Sequence, residues 1–408
     1  MRWVIGVIIY IGLSLYVLQG LKIATKQVWW QYLYVAVAVI VLINFAYRFS
    51  FSATQGRVLD VPKSYAFGLL LAVLSFNVIT ILFLFFEDFV RVGTVISQNL
   101  FGTAKGFHMP ERRRFVSLIG LGLAALPFGA LLYGMYKGKY NYKVLSYELS
   151  FDELPEAFDG YKITQISDIH SGSFDNIERV SYGVDLINEQ KSDVILFTGD
   201  MVNNRSEEMK PWASLFGTLE AKDGKFSILG NHDYGDYISW ESSKAKVQNL
   251  QDLKDLQKQM GFQLLLNENK YLTKNGDRIA LIGVENWGKG GFIKAGDLKL
   301  ASKNIEEKDF KILMSHDPSH WEEIVLKSKT KYHLTLSGHT HGMQFGIEIP
   351  GWIKWSPVKW RYKYWAGIYK ELGQYINVNR GFGFLGYPGR FGILPEITVI
   401  TLKKNKIT

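Results

Sequence analysis

Apolar residues dominate four long stretches near the start of the chain, at about 3–18, 28–47, 65–86 and 115–136. Each approaches the ~17–25 residues that a helix needs to cross a bilayer core. The first is short enough to resemble the core of a signal peptide, but no small-residue cleavage site follows it and another apolar segment does. The pattern therefore predicts four membrane helices. Trp3, Trp29, Trp30, Tyr32, Tyr47, Tyr133 and Tyr136 gather toward the segment ends, as interfacial aromatics do. From about residue 151 the pattern changes. YKITQIS, VILFT, KFSIL, RIALIGV, FKILMS and YHLTLS read as short buried strands, and ERVSYGVDLINEQ and AKVQNLQDLKDLQKQM as helices. Alternating strands and helices predict an α/β domain. The expected division is 1–136 as a four-helix transmembrane anchor, 137–150 as a polar, aromatic linker leading into a first strand, and 151–408 as the α/β domain.

Charge places the spans without orienting them by count. Lys22, Lys26, Arg91, Lys105, Arg112, Arg113 and Arg114 fall on one side of a four-span topology. Arg2, Arg48, Arg57, Lys63, Lys137, Lys139 and Lys143 fall on the other, a tie. The local string ERRRFVSLIGLGLAALPFG favours one orientation, because it resembles a twin-arginine export signal: Arg112 and Arg113, then Phe115, then small and apolar residues; a plain stop-transfer flank is the alternative reading. The export-signal reading puts the domain after Tyr136 outside the cytoplasm of a bacterial inner membrane. The absence of Cys fits either compartment. A net charge of +9 agrees with anionic partners in general.

Chemistry concentrates at the ends of the strand-like runs. Asp168 and His170 stand in SDIH, Asp200 in FTGD, Asn231 and His232 in LGNHD, His316 in MSHD, and His339 and His341 in SGHTHG. If the strand continues through SDIH, residues i and i+2 share one face, so a carboxylate and an imidazole reach one ion. Carboxylate, amide oxygen and imidazole suit manganese, iron or zinc. Without any Cys, a thiolate site is excluded.

The ordered series D-x-H, G-D, G-N-H-D, H and G-H-x-H is similar to the calcineurin-like metallophosphoesterase superfamily. The flanking strings LPEAFDGYKITQISDIHSG, INEQKSDVILFTGDMV and NRGFGFLGYPGRFGILPEITVITL look like its membrane-associated, YkuE/YaeI-type bacterial branch. The resemblance covers about 150–404. It implies a four-layer αββα sandwich of two mixed sheets, and two metals about 3.5–4 Å apart. Carried over, Asp168, His170 and His341 hold one divalent ion, Asn231, His316 and His339 the second, and Asp200 bridges them. Mn comes first among Mn, Fe and Zn. The implied reaction is attack on phosphorus by metal-activated hydroxide, with His232 as general acid and Asp233 orienting its imidazole. The chain departs from the family at Asn203 or Asn204, where Asp is common, and at Met343, where a second Gly is common. His108, His320 and His333 carry no assignment.

Two further strings bear on substrate. Arg390 and Glu396, in GRFGILPEI, match family residues and either contact substrate or form an ion pair. GWIKWSPVKWRYKYWAGIYK interleaves Trp352, Trp355, Trp360 and Trp365 with Lys354, Lys359, Arg361, Lys363 and Lys370. Aromatics mixed with cations suit an anionic membrane interface. Nucleic-acid stacking and a lidded subdomain are rival readings of that composition. Trp352, Trp355, Lys354 and Arg390 are therefore candidate substrate contacts. The expected enzyme is a membrane-anchored, dinuclear phosphoesterase acting on a phosphodiester or pyrophosphate, with lipid-linked phosphates among its candidate substrates and nucleic acid disfavoured. A non-catalytic membrane receptor that binds phosphate at the same pocket is the alternative. Oligomeric state is not encoded in any motif.

Overall fold

The computed structural model describes residues 2–50, 59–101, 110–349 and 351–405. Arg57, Lys105 and His108 lie outside the described residues. The chain divides into two compact units: the N-terminal helices, and an α/β unit made of the residues from Lys137 onward together with the segment that ends at Val61.

The helical unit comprises α1 (Arg2–Ala24), α2 (Val28–Ser50), α3 (Val61–Phe101) and α4 (Pro110–Tyr136). Among the described residues these four helices are long and apolar enough to cross a membrane. Each predicted apolar stretch falls in one of them, although α3 runs to Phe101 rather than ending near 86. Inside the bundle Tyr34 Oη donates to Asn77 Oδ1 at 2.8 Å, and Asn77 Nδ2 donates to Ser14 Oγ at 3.2 Å. Arg112 pairs with Glu87 at 3.6 Å and Arg113 with Asp88 at 3.3 Å, so the twin arginines tie α4 to α3.

The second unit contains β1 (Lys143–Phe151), β2 (Lys162–Ile166), α5 (Ile177–Glu189), β3 (Val194–Phe197), α6 (Ala213–Gly217), β4 (Lys225–Ser227), α7 (Ser243–Gln259), β5 (Phe262–Leu264), β6 (Glu268–Lys274) and β7 (Asp277–Gly283). It continues with α8 (Leu298–Ala301), β8 (Lys311–Met314), α9 (Pro318–Glu323), β9 (Leu334–Ser337), β10 (Ile347–Ile349), β11 (Ile353–Trp355), β12 (Gly367–Glu371), β13 (Gln374–Val378) and β14 (Glu396–Lys404). One mixed sheet has the order β1-β14-β2-β3-β4-β5 and the other β12-β13-β9-β8-β7-β6. Residues 137–150 are not a linker. Lys139 and Tyr140 are buried in a 3₁₀ turn, and Lys143–Phe151 is an edge strand paired in parallel with β14.

Four layers follow from where the apolar residues go. Ile163, Leu196 and Ile400 of the first sheet pack with Leu281, Ile312 and Leu336 of the second, forming the core between the sheets. Val184 and Ile187 of α5 cover the outer face of the first sheet with Leu253 of α7. Trp321 of α9 and Ala301 of α8 cover the second. Burial on both faces explains why the parallel strands read as continuous apolar runs rather than as alternation.

Two buried histidines away from the ligand strings make stability pH-dependent. His333 Nδ1 accepts from Lys311 N–H at 3.0 Å, and His320 Nδ1 lies 2.8 Å from Ser315 Oγ. Burial lowers both imidazoles to about 4. Below the ordinary imidazole pKa of about 6.5, the unfolded chain takes up protons that the folded chain refuses. Stability is therefore complete above about pH 6.5 and falls as pH drops toward 4, by on the order of 3 kcal/mol per histidine. Thermal unfolding of the full chain in detergent should show this decline, and His333→Gln should make it shallower. An unchanged slope in that variant would contradict the account.

Candidate metal centre

Every ligand string sits just past the C-terminal end of a parallel strand: Asp168 and His170 after β2, Asp200 after β3, Asn231 after β4, His316 after β8 and His339 after β9. Strand ends are where α/β sheets place chemistry. The strand argument for Asp168 and His170 fails in detail, because β2 stops at Ile166. Both residues are instead left-handed, with φ of 51° and 47°. Asp200 (62°), His339 (71°) and His341 (50°) share that conformation. For a residue with a Cβ it costs roughly 1–2 kcal/mol, so five candidate ligands are held against their local preference.

The side chains converge. His170 Nε2 and His341 Nε2 are 3.0 Å apart, and His341 Nε2 is 3.2 Å from Asp168 Oδ1. Asp200 Oδ2 lies 3.1 Å from His316 Nε2 and 3.6 Å from His170 Nε2. Asn231 Oδ1 is 2.8 Å from His339 Nδ1. Two groups could each hold an ion: Asp168, His170 and His341, and Asp200, His316 and His339. The donor chemistry fits divalent cations. His316 Nδ1 bonds the Thr198 carbonyl at 2.7 Å, which leaves its buried Nε2 without a hydrogen-bond partner and aimed at Asp200. A ligand histidine is oriented in the same way by its other nitrogen.

Electrostatics agree. Burial opposes the charged forms of Asp168 and Asp200, yet His341 and His316 respectively hold them well below the usual carboxylate range. Burial also opposes charge on His316, but Asp200 outweighs it and raises His316 to about 10. Burial pushes His170, His232 and His339 down.

His232 lies beside these groups. Its backbone N–H donates to Asp200 Oδ1 at 2.8 Å, and its Nδ1 meets the Asn203 carbonyl at 2.7 Å. A carbonyl only accepts, so Nδ1 carries the proton and Nε2 is the nitrogen free to exchange one. Asn203, not Asp233, therefore orients the imidazole. Asp233 is fully buried, and its carboxylate accepts from the backbone N–H groups of Asp200 (2.9 Å), Met201 (2.8 Å), Val202 (3.3 Å) and Gly230 (2.9 Å). It ties the Asp200 loop to the Asn231 loop. Burial and the neighbouring Asp200 charge raise it to about 7, against the pull of its backbone donors.

The expected substrate contacts are also redistributed. Arg390 is fully buried, bonding the carbonyls of Gly383 (2.8 Å) and Arg380 (2.7 Å) and standing 3.0 Å from His341 Nδ1. It supports a candidate ligand from behind, and burial lowers it to about 9. Glu396 pairs with Arg380 rather than with Arg390. Trp352, Trp355 and Lys354 are absent from the walls of the cavity of about 1060 Å³ over the site; Phe292, Met343, Val358, Trp360, Arg361 and Tyr362 line it instead. Sequence reasoning missed three further neighbours. Tyr362 Oη is 2.8 Å and Asp317 Oδ2 3.4 Å from His339 Nε2, and Tyr237 Oη accepts from Asn231 Nδ2 at 2.8 Å. Of these, only Asp317, adjacent to His316, carried a signal in its spacing.

Both units resemble known proteins. The family described as calcineurin-like phosphoesterase matches residues 161–343, and the one described as probable calcineurin-like phosphoesterase, transmembrane domain, matches residues 1–139. The chain is 33% identical to the metallophosphoesterase YkuE of Bacillus subtilis over 306 residues, covering 72% of this chain and 98% of that protein. It is 29% identical to a metallophosphoesterase of Aquifex aeolicus, covering 68% and 98%. With a transmembrane protein with metallophosphoesterase domain from Danio rerio it shares 26% identity, covering 82% and 74%. The chain belongs to the calcineurin-like metallophosphoesterase family. It is a membrane protein and a metal-dependent phosphoesterase that uses divalent metal ions.

Asp233→Asn tests the loop clamp. Each carboxylate oxygen serves two N–H donors, whereas an amide turns an NH₂ toward one pair. The variant should lose about 2–4 kcal/mol of stability and bind metal less tightly, read by thermal unfolding and elemental analysis. Wild-type values of both would exclude the clamp.

Proposed function

We propose that this protein hydrolyses a phosphodiester or pyrophosphate bond at two divalent cations. Asp168, His170 and His341 would hold one, Asn231, His316 and His339 the other, with Asp200 between them. The observation that carries the reading is the position of Asp200 Oδ2, within 3.1 Å of His316 Nε2 and 3.6 Å of His170 Nε2, between the two imidazole sets. When bound, the cations would supply Lewis acidity for a water nucleophile and for the phosphoryl oxygens. Manganese, iron and zinc all suit the donors, and manganese is our first choice.

The chain's own residues do the rest. His232 keeps Nδ1–H on Asn203 and, in its imidazolium form, which the neighbouring Asp200 charge favours against burial, gives the Nε2 proton to the leaving oxygen and returns to the neutral Nδ1–H tautomer. Tyr237 packs against that ring at 4.4 Å between centroids and limits its rotation. Asn231 adds an oxygen donor without adding negative charge. Arg112 and Arg113 at the start of α4, together with bacterial relatives, support a bacterial inner-membrane location with the catalytic unit outside the cytoplasm.

The test is turnover of an aryl phosphodiester by the full chain in detergent, stripped of metal and reloaded with Mn²⁺. Activity should vanish on chelation and return with the metal. His232→Ala should lower kcat by about 10²–10⁴ while keeping its metal content, and Asp200→Ala should lose both metal and activity. Undiminished turnover in either variant would refute the assignment.

A further inference from the structure

The hairpin formed by β10 and β11 turns apolar residues of its first strand outward. Its register pairs Ile347 with Trp355, Glu348 with Lys354, and Ile349 with Ile353. Directly paired residues share a face, so the polar pair lies on one side and the four apolar residues on the other. The polar pair reaches back to the protein through its charged ends, although Lys354 is exposed along its length. Glu348 accepts from the buried Arg380 at 3.0 Å through Nε, and Lys354 Nζ bonds the Ala366 carbonyl. On the apolar side Ile347 is 49% and Ile349 43% exposed, while Ile353 and Trp355 are half-buried. Trp352 extends the patch at the turn, 77% exposed. Trp360, 76% exposed, packs edge-on to Trp355 at 6.1 Å.

A soluble hairpin normally turns this pattern the other way round, so the outer face needs a partner. Its composition selects one. Three tryptophans and three isoleucines are flanked by the exposed cations Lys359 and Arg361, the mixture that suits acyl chains beneath anionic headgroups. The main run of the α/β unit also begins at Lys137, directly after the last residue of α4, so the chain keeps it at a membrane. The patch continues into the site. Trp360 belongs both to the outer surface and to the wall of the catalytic cavity, where Phe292, Met343 and Val358 extend the apolar lining toward His339.

We propose that the outer face of this hairpin docks into an anionic lipid surface and that the metal centre takes an amphiphilic phosphoester from it, the apolar tail lying along Trp360, Met343 and Phe292. The docking stands by itself, whereas the substrate class rests on the phosphoesterase reading above.

The native chain has no cysteine, so a single introduced thiol carries a unique label. Trp352→Cys, spin-labelled in the full chain and reconstituted in nanodiscs of phosphatidylcholine with phosphatidylglycerol, should collide with oxygen in preference to a water-soluble nickel chelate. Lys308→Cys is the control. It lies ahead of β8, at the strand end opposite the ligand loops, and should show the reverse preference. A label at 352 that behaves like the one at 308 would overturn docking. So would dipolar broadening between labels on two copies, which would make a second chain the occupant. For the substrate, Trp352→Asp should leave turnover of the soluble aryl diester within about twofold while lowering turnover of a diacyl phosphodiester in vesicles about tenfold. Equal loss on both substrates, or none on the lipid, would overturn the delivery role. Wild-type chain inactive on the aryl diester would instead sink the dinuclear reading and leave the label result intact.

Discussion

The candidate site depends on keeping two buried loops together while carboxylates and imidazoles are pressed against one another. Asp168 and Asp200 are both buried carboxylates, and isolated buried charge is costly. Asp233 supplies the mechanical part of the answer, because one carboxylate collects four backbone N–H groups from the Asp200 and Asn231 loops. Those donors lie in a tight turn with no ladder partner of their own, so the clamp satisfies them as well as fixing the distance between loops. Glycine makes the approach possible. A Cβ at Gly230 would stand 2.2 Å from Asp200 Oδ1.

Backbone strain supports the same geometry from the other side. Asp168, His170, Asp200, His339 and His341 are left-handed in loops that immediately follow strands. Such a conformation turns the chain sharply, so successive side chains point to one centre rather than alternating across a pleat. Gly338 completes the arrangement between β9 and β2: a Cβ there would meet Ser167 Oγ at 1.8 Å and Asp168 Oδ2 at 2.2 Å. The local cost is offset by the sheets beneath, whose apolar interiors fix where each loop begins.

Much of this was legible in the chain. Four long apolar runs and a later series of short ones marked the two units, because burial dictates composition directly. The ligand types in SDIH, GD, GNHD, SHD and GHTH pointed to a metal site for the same reason: chemistry needs those atoms. What did not read out were relations set by tertiary geometry. Asp233 was assigned to the histidine beside it, but proximity in sequence says nothing about which oxygen meets which N–H. Arg390 looked like a substrate contact because a cation near a phosphate site invites that role. In the fold it is sealed behind His341 among carbonyl groups. Tyr362 and Tyr237 left no trace, since an isolated tyrosine has no characteristic spacing.

The tryptophan-rich segment shows how composition and register combine. Composition alone named Trp352, Trp355 and Lys354 as substrate contacts, and none of them lines the cavity. Register explains why. With a side-chain period of two, the pairing of Glu348 with Lys354 fixes every other residue of the hairpin on the opposite face. Arg380 holds that register by taking Glu348 inward with one side of its guanidinium and Glu396 with the other. A buried arginine between two carboxylates is expensive to disturb, so the apolar face cannot be hidden by a one-residue slip. The same ion-pair network that anchors the hairpin to the catalytic unit therefore keeps Ile347 and Ile349 turned outward beside the exposed Trp352.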